Sequence, residues 1–300
     1  MPTDRLTYKS LLSNKLLHPS INGGIMRNTP QLNTDGWSIK GCSIIYAPRG
    51  QAGEYAKLAT NPYRGCGHKC AYCYVPKVLR MDRAQFDSGA TPRTDFLASL
   101  IKDAKKYQFL RINEQVMLSF TTDPYNPYDQ TLTRDVLIAL QSHGMAICTL
   151  TKGGKRALSD IDLFRPHRDS FASTLTTLDD DFSMKWERGA ALPADRISTL
   201  KAFHDAGIFT WVSLEPTLSV ESSLSIVEHT HEFVDLYKIG RANYLPMTSS
   251  TDWESYTHRM VDLVNKLGIR HYIKHDLQKY LPVGYHNPKH IDQFHAVKAK

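Results

Sequence analysis

Three of the chain's five cysteines stand within NPYRGCGHKCAYCYVP, residues 61–76, with the spacing Cys66-x3-Cys70-x2-Cys73. Thiolates this close on a tight loop converge on one soft metal centre. Two centres suit them. A structural zinc ion wants four closed ligands, and His68, Cys42 or Cys148 offers the fourth. A four-iron cluster held by three cysteines instead keeps one iron open to an outside ligand. Zinc motifs come as two separated pairs, whereas these thiols sit together. The missing fourth cysteine then reads as a vacancy for chemistry. Gly65 and Gly67 leave room for the backbone to approach the centre.

A second set of polar residues recurs along the chain. Thr121-Thr122-Asp123, Thr151-Lys152, Thr176-Thr177 with Asp179, and Glu215-Pro216 each close an apolar run. One such group alone is a cap or a turn. Four in succession mark a site, because barrels carry their chemistry at the C-terminal ends of strands.

The elements that must position these residues follow from the apolar pattern. Strands are expected at VMLSFT (116–121), MAICTLT (145–151), SFASTLTTL (170–178), FTWVSLEP (209–216), VDLYKIG (234–240) and RHYIKHDL (270–277). Several are rich in β-branched or aromatic residues and short enough to be buried strands. In RTDFLASLIKDAKKY, the residues Phe96, Leu97, Leu100, Ile101 and Ala104 share one helical face. TLTRDVLIALQSHG, PADRISTLKAFHDAG and DWESYTHRMVDLVNKLG run to Gly144, Gly207 and Gly268, as helix C-termini do. Alternating β and α elements imply parallel strands with helices outside, so the chain reads as one α/β domain, a barrel or partial barrel. Residues 1–41 read as an irregular leader, 42–280 as the barrel domain and 281–300 as a tail. The tail histidines, from His271 to His295, match no compact metal site.

Composition sets the outer bounds. Hydrophobic residues make up 41% of the 300 and charged residues 22%, as in ordinary globular proteins. No run approaches the length of a membrane span, and MPTDRLTYKSLLSNK lacks the apolar stretch of a secretory signal. A cytoplasmic location is expected, where thiols stay reduced and serve metals or catalysis. The net charge of +7 suits a phosphate-bearing partner, although the basic residues are scattered.

CxxxCxxC with Tyr72 before its last cysteine resembles the signature of the radical S-adenosylmethionine (SAM) superfamily. The likeness narrows further. IIYAPRGQAGEYAKLATNPYRGCGHKCAYCYVPK, FTTDPYNPYD, the Thr-Lys pair at 151–152, TLTTLDDD, the AGI at 206–208, WVSLEPTLS and LYKIG resemble the spore photoproduct lyase-like group, also described as DNA repair photolyase-like. It extends over residues 42–280.

The resemblance implies a partial (β/α)6 barrel of the TIM type, a [4Fe–4S] cluster, and SAM bound to the open iron through its amino and carboxylate groups. One-electron reduction, by a donor of the flavodoxin or ferredoxin type, then yields a 5′-deoxyadenosyl radical that takes hydrogen from the substrate. Carried onto this sequence, Cys66, Cys70 and Cys73 are the cluster ligands and Tyr72 packs beside the adenine. Thr122 and Asp123 match the segment that receives the methionine amino group. Lys152 meets the SAM carboxylate, and Thr174 matches a hydroxyl on the ribose or carboxylate. Glu215 points into the same cavity. The implied substrate is a nucleic acid or nucleotide, a modified or damaged pyrimidine in DNA.

The likeness also has a gap. Spore photoproduct lyase returns hydrogen from a cysteine, and this chain has none after Cys148. That argues against thymine-dimer repair by the same route. Tyr237, Tyr244, Tyr272 and Tyr280 are alternative donors that nothing in the sequence ranks. Tyr125 and Tyr128 either stack on a base at the cavity mouth or pack their own loop. Cys42 and Cys148 read as small buried hydrophobes. Two rival functions stay open: radical chemistry on a small metabolite or peptide, and a zinc-stabilised nucleic-acid-binding module.

Overall fold

A computed structural model describes residues 29–243 and 245–288. Each of the six expected runs forms a strand, and a short one precedes them. The strands are β1 (Leu58–Thr60), β2 (Gln115–Leu118), β3 (Ala146–Thr151), β4 (Ser170–Thr174), β5 (Phe209–Thr217), β6 (Leu236–Arg241) and β7 (His271–Ile273). They lie side by side in chain order, every pair parallel. The sheet curls into a half-barrel with helices on its convex side, the partial TIM-type fold expected from the sequence.

Three expected strands end early. VMLSFT stops at Leu118, and the amides of Phe120 and Thr121 turn to Asn61 Oδ1 at 2.8 and 3.0 Å. SFASTLTTL leaves the sheet after Thr174, because the chain must turn to Asp179, whose carboxylate caps the next helix through Phe182 N–H. RHYIKHDL is a strand only to Ile273, and His275–Gln278 turns into a short helix. β1 is three residues, Leu-Ala-Thr, too short to announce itself.

The crossovers explain the parallel order. Helix α1 (Val75–Leu79) and α2 (Arg83–Asp87) follow the cysteines, and α3 (Phe96–Phe109) leads into β2. Helix α4 (Thr131–Ser142) joins β2 to β3. A 3-10 segment, Gly154–Leu163, takes a helix's place before β4. Then come α5 (Asp180–Trp186), α6 (Pro193–Asp205), α7 (Val220–Thr230), α8 (Trp253–Leu267) and α9 (His275–Gln278). Helix α3 buries the stripe read from its sequence, Phe96, Leu97, Leu100, Ile101 and Ala104. Helix α8 starts on the Asp252 carboxylate and stops at Gly268, where φ is +65°. Any side chain is strained at that angle.

Period two along the strands divides the residues between two faces. Leu58, Val116, Leu118, Ile147, Phe171, Val212, Leu214, Tyr237, Ile239 and Ile273 belong to the large core shared with the helices. Their alternates Ala59, Met117, Cys148, Ala172, Trp211 and Leu236 form a smaller inner layer together with Tyr55. Burying each large outward side chain contributes about 1.5–3 kcal/mol. The helices are therefore held without any contribution from the inner face, which is free to carry polar residues further along the strands.

An open half-barrel has two edges to protect. Tyr46 pairs antiparallel with Ala59 on the β1 edge, through bonds of 3.0 and 2.8 Å. The Asn287 amide closes the β7 edge, accepting from Ile273 N at 2.9 Å and donating to Ile273 O at 2.6 Å. Ile39, from the expected leader, is buried in the main core. Residues 1–28 of that leader lie outside the described residues, as do 289–300 with His290 and His295, and Tyr244. Among the described residues no helix is long and apolar enough to cross a membrane.

Candidate active site

The inner face turns polar toward the C-terminal ends of the strands. On β3 the inward series Cys148 and Leu150 continues to Lys152. On β4 Ala172 is followed by Thr174, and on β5 Trp211 by Ser213 and Glu215. These residues line a cavity of about 680 Å³. Cys66, Cys70, Tyr72, Cys73, Thr122, Asp123, Lys152, Thr174 and Glu215 all line it.

The cysteine loop is gripped from several sides. Cys66 N bonds to Phe86 O at 2.9 Å, Ala71 N to Trp186 O at 2.8 Å, and Gly189 N to His68 O at 2.9 Å. Arg83 Nη2 donates to Cys70 O at 2.6 Å and Thr122 Oγ1 to Gly65 O at 2.7 Å. Its glycines answer to these neighbours rather than to the space around a metal. Gly65 has φ +83°, and a Cβ there would lie 2.1 Å from Gly89 O. One on Gly67 would meet the Tyr128 ring at 2.2 Å, and one on Gly189 the Gly67 carbonyl at 2.0 Å. Tyr128 thus packs the loop. Tyr125 is fully buried, with its hydroxyl 3.2 Å from Asp160 Oδ2.

The three thiols are free of disulfides. Burial pushes the Cys70 thiol up to about 12 and raises Cys66 and Cys73 as well. The backbone N–H groups of His68 and Val75 act the other way, favouring the thiolates of Cys66 and Cys73. A metal centre held by these residues would supply the positive charge that completes this shift. Among the described residues no three His, Cys, Asp or Glu side chains are placed to share one ion. Nor does a fourth zinc ligand present itself. The His68 ring is 3.2 Å from Asp123 Oδ2 and 3.0 Å from Arg156 Nη2. Cys148 belongs to the inner apolar layer, and Cys42 stands 3.7 Å from Lys106 Nζ.

Asp123 is the hub of the wall. Its carboxylate accepts from Tyr125 N at 2.9 Å, Thr151 Oγ1 at 2.6 Å and Lys152 N at 2.8 Å. Burial alone would raise its pKa; His68, Thr151 and the Lys152 amide outweigh that and hold it well below the usual carboxylate range. Thr122 and Asp123 thus already carry protein partners, and they tie β2 and β3 to the cysteine loop. The Lys152 ammonium is differently placed. It stands 5.9 Å over the Tyr72 ring. Burial works to neutralise it, but Cys70, Glu187 and Asp123 together raise its pKa.

Several partners were invisible in the sequence. The Tyr72 hydroxyl donates to Glu187. Glu187 pairs with Arg196 at 2.6 Å, and both are almost wholly buried. Arg196 in turn donates to Ala191 O at 2.7 Å and Thr174 O at 3.1 Å. Glu215 is held by the Lys274 ammonium and by the Tyr55 hydroxyl at 2.5 Å. Charged residues such as Glu187 and Arg196 look like surface residues until the fold supplies a partner. For Lys274 one signal existed: it shares the inward parity of Tyr272.

A family model described as the Radical SAM superfamily matches residues 60–234. Uncharacterized proteins of Mycobacterium tuberculosis and Mycobacterium bovis are 28% identical over 172 residues, covering 54% of this chain and 50% of theirs. The chain thus spans about half the length of the curated relatives it matches. Among solved structures, spore photoproduct lyase superposes with a TM-score of 0.61 at 10% identity, over 82% of this chain and 86% of that one. Streptococcus suis SuiB, solved with S-adenosylmethionine, gives 0.55 at 15% identity, over 75% and 52%. At such identities the likeness is one of fold. The family model, by contrast, runs from the last residue of β1 to the approach to β6, with the three cysteines inside it, and the chain belongs to the radical SAM superfamily.

Proposed function

We propose that this chain holds a [4Fe–4S] cluster on Cys66, Cys70 and Cys73, cleaves SAM reductively in the cavity above them, and acts on a nucleic acid or nucleotide. Superfamily membership implies the iron–sulfur cluster and SAM. The observation that carries the reading is the meeting of three thiols, the Lys152 ammonium, Thr174 and Glu215 on one cavity. When bound, the two cofactors supply a 5′-deoxyadenosyl radical by one-electron reduction, from a donor of the flavodoxin or ferredoxin type.

The protein's part is to bind, orient and keep water out. The Lys152 cation receives the SAM carboxylate, a charge-assisted contact. Thr174 offers a hydroxyl to the ribose or carboxylate. Tyr72, anchored through Glu187, gives a fixed ring for the adenine. Asp123 keeps Lys152 and the cysteine loop in register. Val75, Val78, Phe120, Leu150 and Leu245 make much of the lining apolar, which limits quenching of a radical by solvent. Glu215, held by Lys274 and Tyr55, faces the substrate side.

The substrate class rests on charge and fold. The chain carries +7, and Arg49, Lys77 and Arg241 line the cavity. A spore photoproduct lyase variant solved with dinucleoside spore photoproduct shares the fold with a TM-score of 0.58. We infer a modified or damaged pyrimidine in DNA as the target. Because SuiB was also solved with its precursor peptide, a peptide pool is the natural opposing arm of the test. The reconstituted enzyme, given SAM and reductant, should form 5′-deoxyadenosine faster with lesion-bearing oligonucleotides, and the acceleration should fade as salt rises. Acceleration by peptides and by no nucleic acid would overturn the substrate assignment.

A further inference from the structure

Arg241 ends β6, five strands along the sheet from the cysteine loop, and it lines the cavity. Its guanidinium carbon lies 5.5 Å over the Trp253 ring. Trp253 is 8% exposed and opens α8, whose first turn is fixed by the Asp252 cap. Arg241 Nε is buried and finds no hydrogen-bond partner among the described residues. A guanidinium supported by its face keeps its five N–H donors in the plane of the fork. Nearby, Lys274 meets Glu215, and Asp276, outside the cavity lining, accepts from Asn243 Nδ2 at 2.6 Å. A half-buried cation with no counter-ion among the described residues is costly unless a ligand supplies one.

We propose that Arg241 is the anion-binding residue of the substrate subsite, taking a phosphate of the substrate on its in-plane donors while Trp253 holds the fork in place. The proposal deepens the nucleic-acid reading above and rests on it. Phosphate fits better than an isolated carboxylate because Arg49 and Lys77 are exposed on the same lining. Its two acids are engaged already, Asp123 by β3 and Glu215 by Lys274. Several cations spread along one mouth match the successive charges of a nucleotide backbone. Lys152, just past the end of β3, is the cation assigned above to SAM, so SAM and substrate have an anion-binding residue each.

The test is equilibrium binding to the reconstituted chain. The main probe is a fluorescent oligothymidylate of about eight nucleotides. Thymidine 5′-monophosphate and thymidine serve as competitors, and an oligoglutamate of equal length as the carboxylate control. Arg241→Gln should weaken oligothymidylate binding about tenfold and lower the slope of log affinity against log salt by about 0.7. The monophosphate should compete better than thymidine in the parent, and this preference should vanish in Arg241→Gln. Arg241→Lys keeps the charge without the fork, so it should keep the parental salt slope and lose part of the affinity. Parental iron content and melting temperature in both variants establish that the fold is intact; should Arg241→Gln fail to fold, Arg241→Lys and the parental monophosphate preference decide. Parental affinity and slope in Arg241→Gln would overturn the role of Arg241 and leave the nucleic-acid reading standing. So would parental affinity in Arg241→Lys. A parent chain that binds neither the oligothymidylate nor the monophosphate, or prefers oligoglutamate, would overturn both.

Discussion

Lys152 sits where a lysine would ordinarily lose its proton, yet its neighbours keep it charged. Burial opposes the ammonium, while Cys70, Glu187 and Asp123 favour it. Its Nζ lies over the Tyr72 ring, facing the cavity that the thiols share. Lys152→Ala should therefore weaken SAM binding about tenfold or more and leave iron content unchanged. Isothermal titration of the reconstituted protein would show it, and equal affinity would remove Lys152 from the SAM site. Lys238 is the opposite case. It is fully buried inside the barrel, donating to Glu54 O at 3.1 Å and Tyr55 O at 2.7 Å. Burial drives its pKa down to about 7, Lys274 adding to the fall while Cys148 and Glu54 oppose it. Unfolded, the same lysine titrates near about 10.4. Between these values the unfolded chain binds the extra proton, so stability should rise with pH, by up to about 1.4 kcal/mol per unit. Lys238→Met should flatten that rise between about pH 7 and pH 8, below the range where ordinary thiols titrate. Parallel denaturation profiles for parent and variant would contradict the account. At this scale the sequence revealed residues whose type declares their chemistry, such as Cys66, Cys70, Cys73 and Lys152. It hid Glu187, Arg196, Tyr55 and Lys274, whose meaning lies in a partner far along the chain.

The cysteine loop shows how elements share the task of placing a site. The loop follows β1, but its grip comes from residues near Phe86, from Trp186 and from Gly189. Gly189 lies more than a hundred residues downstream, and a Cβ there would press on the Gly67 carbonyl at 2.0 Å. Gly189→Ala should displace the loop, cost about 1–3 kcal/mol and reduce the iron retained after reconstitution. Parental iron and sulfide content in that variant would show that the contact is dispensable. The glycines beside the cysteines invited a reading in terms of room for a metal, and the structure gives packing as the reason instead. The long, strongly patterned elements were legible: α3, α4, α6 and α8 run where their stripes and terminal glycines put them. β1 and the split of RHYIKHDL into strand and helix were not, because three residues carry too little pattern to be read.

At the scale of the molecule, the half-barrel separates support from chemistry. Outward residues bind the helices, the lower inner layer is apolar, and the layer above it is polar and opens into the cavity. One open side is closed from outside the strands, by Tyr46 on the β1 edge and Asn287 on the β7 edge. Tyr55, from the segment before β1, fills the interior between Trp211 and Glu215. The site is thus assembled from residues 49 to 274, which is why no single motif could have described it. The most direct test of the central claim is 5′-deoxyadenosine formation after anaerobic reconstitution with iron and sulfide, with dithionite and SAM supplied. The parent chain should release the nucleoside, and Cys70→Ala should release none above background. Full cleavage by Cys70→Ala, or a parent that takes up zinc in place of iron and forms no product, would contradict it.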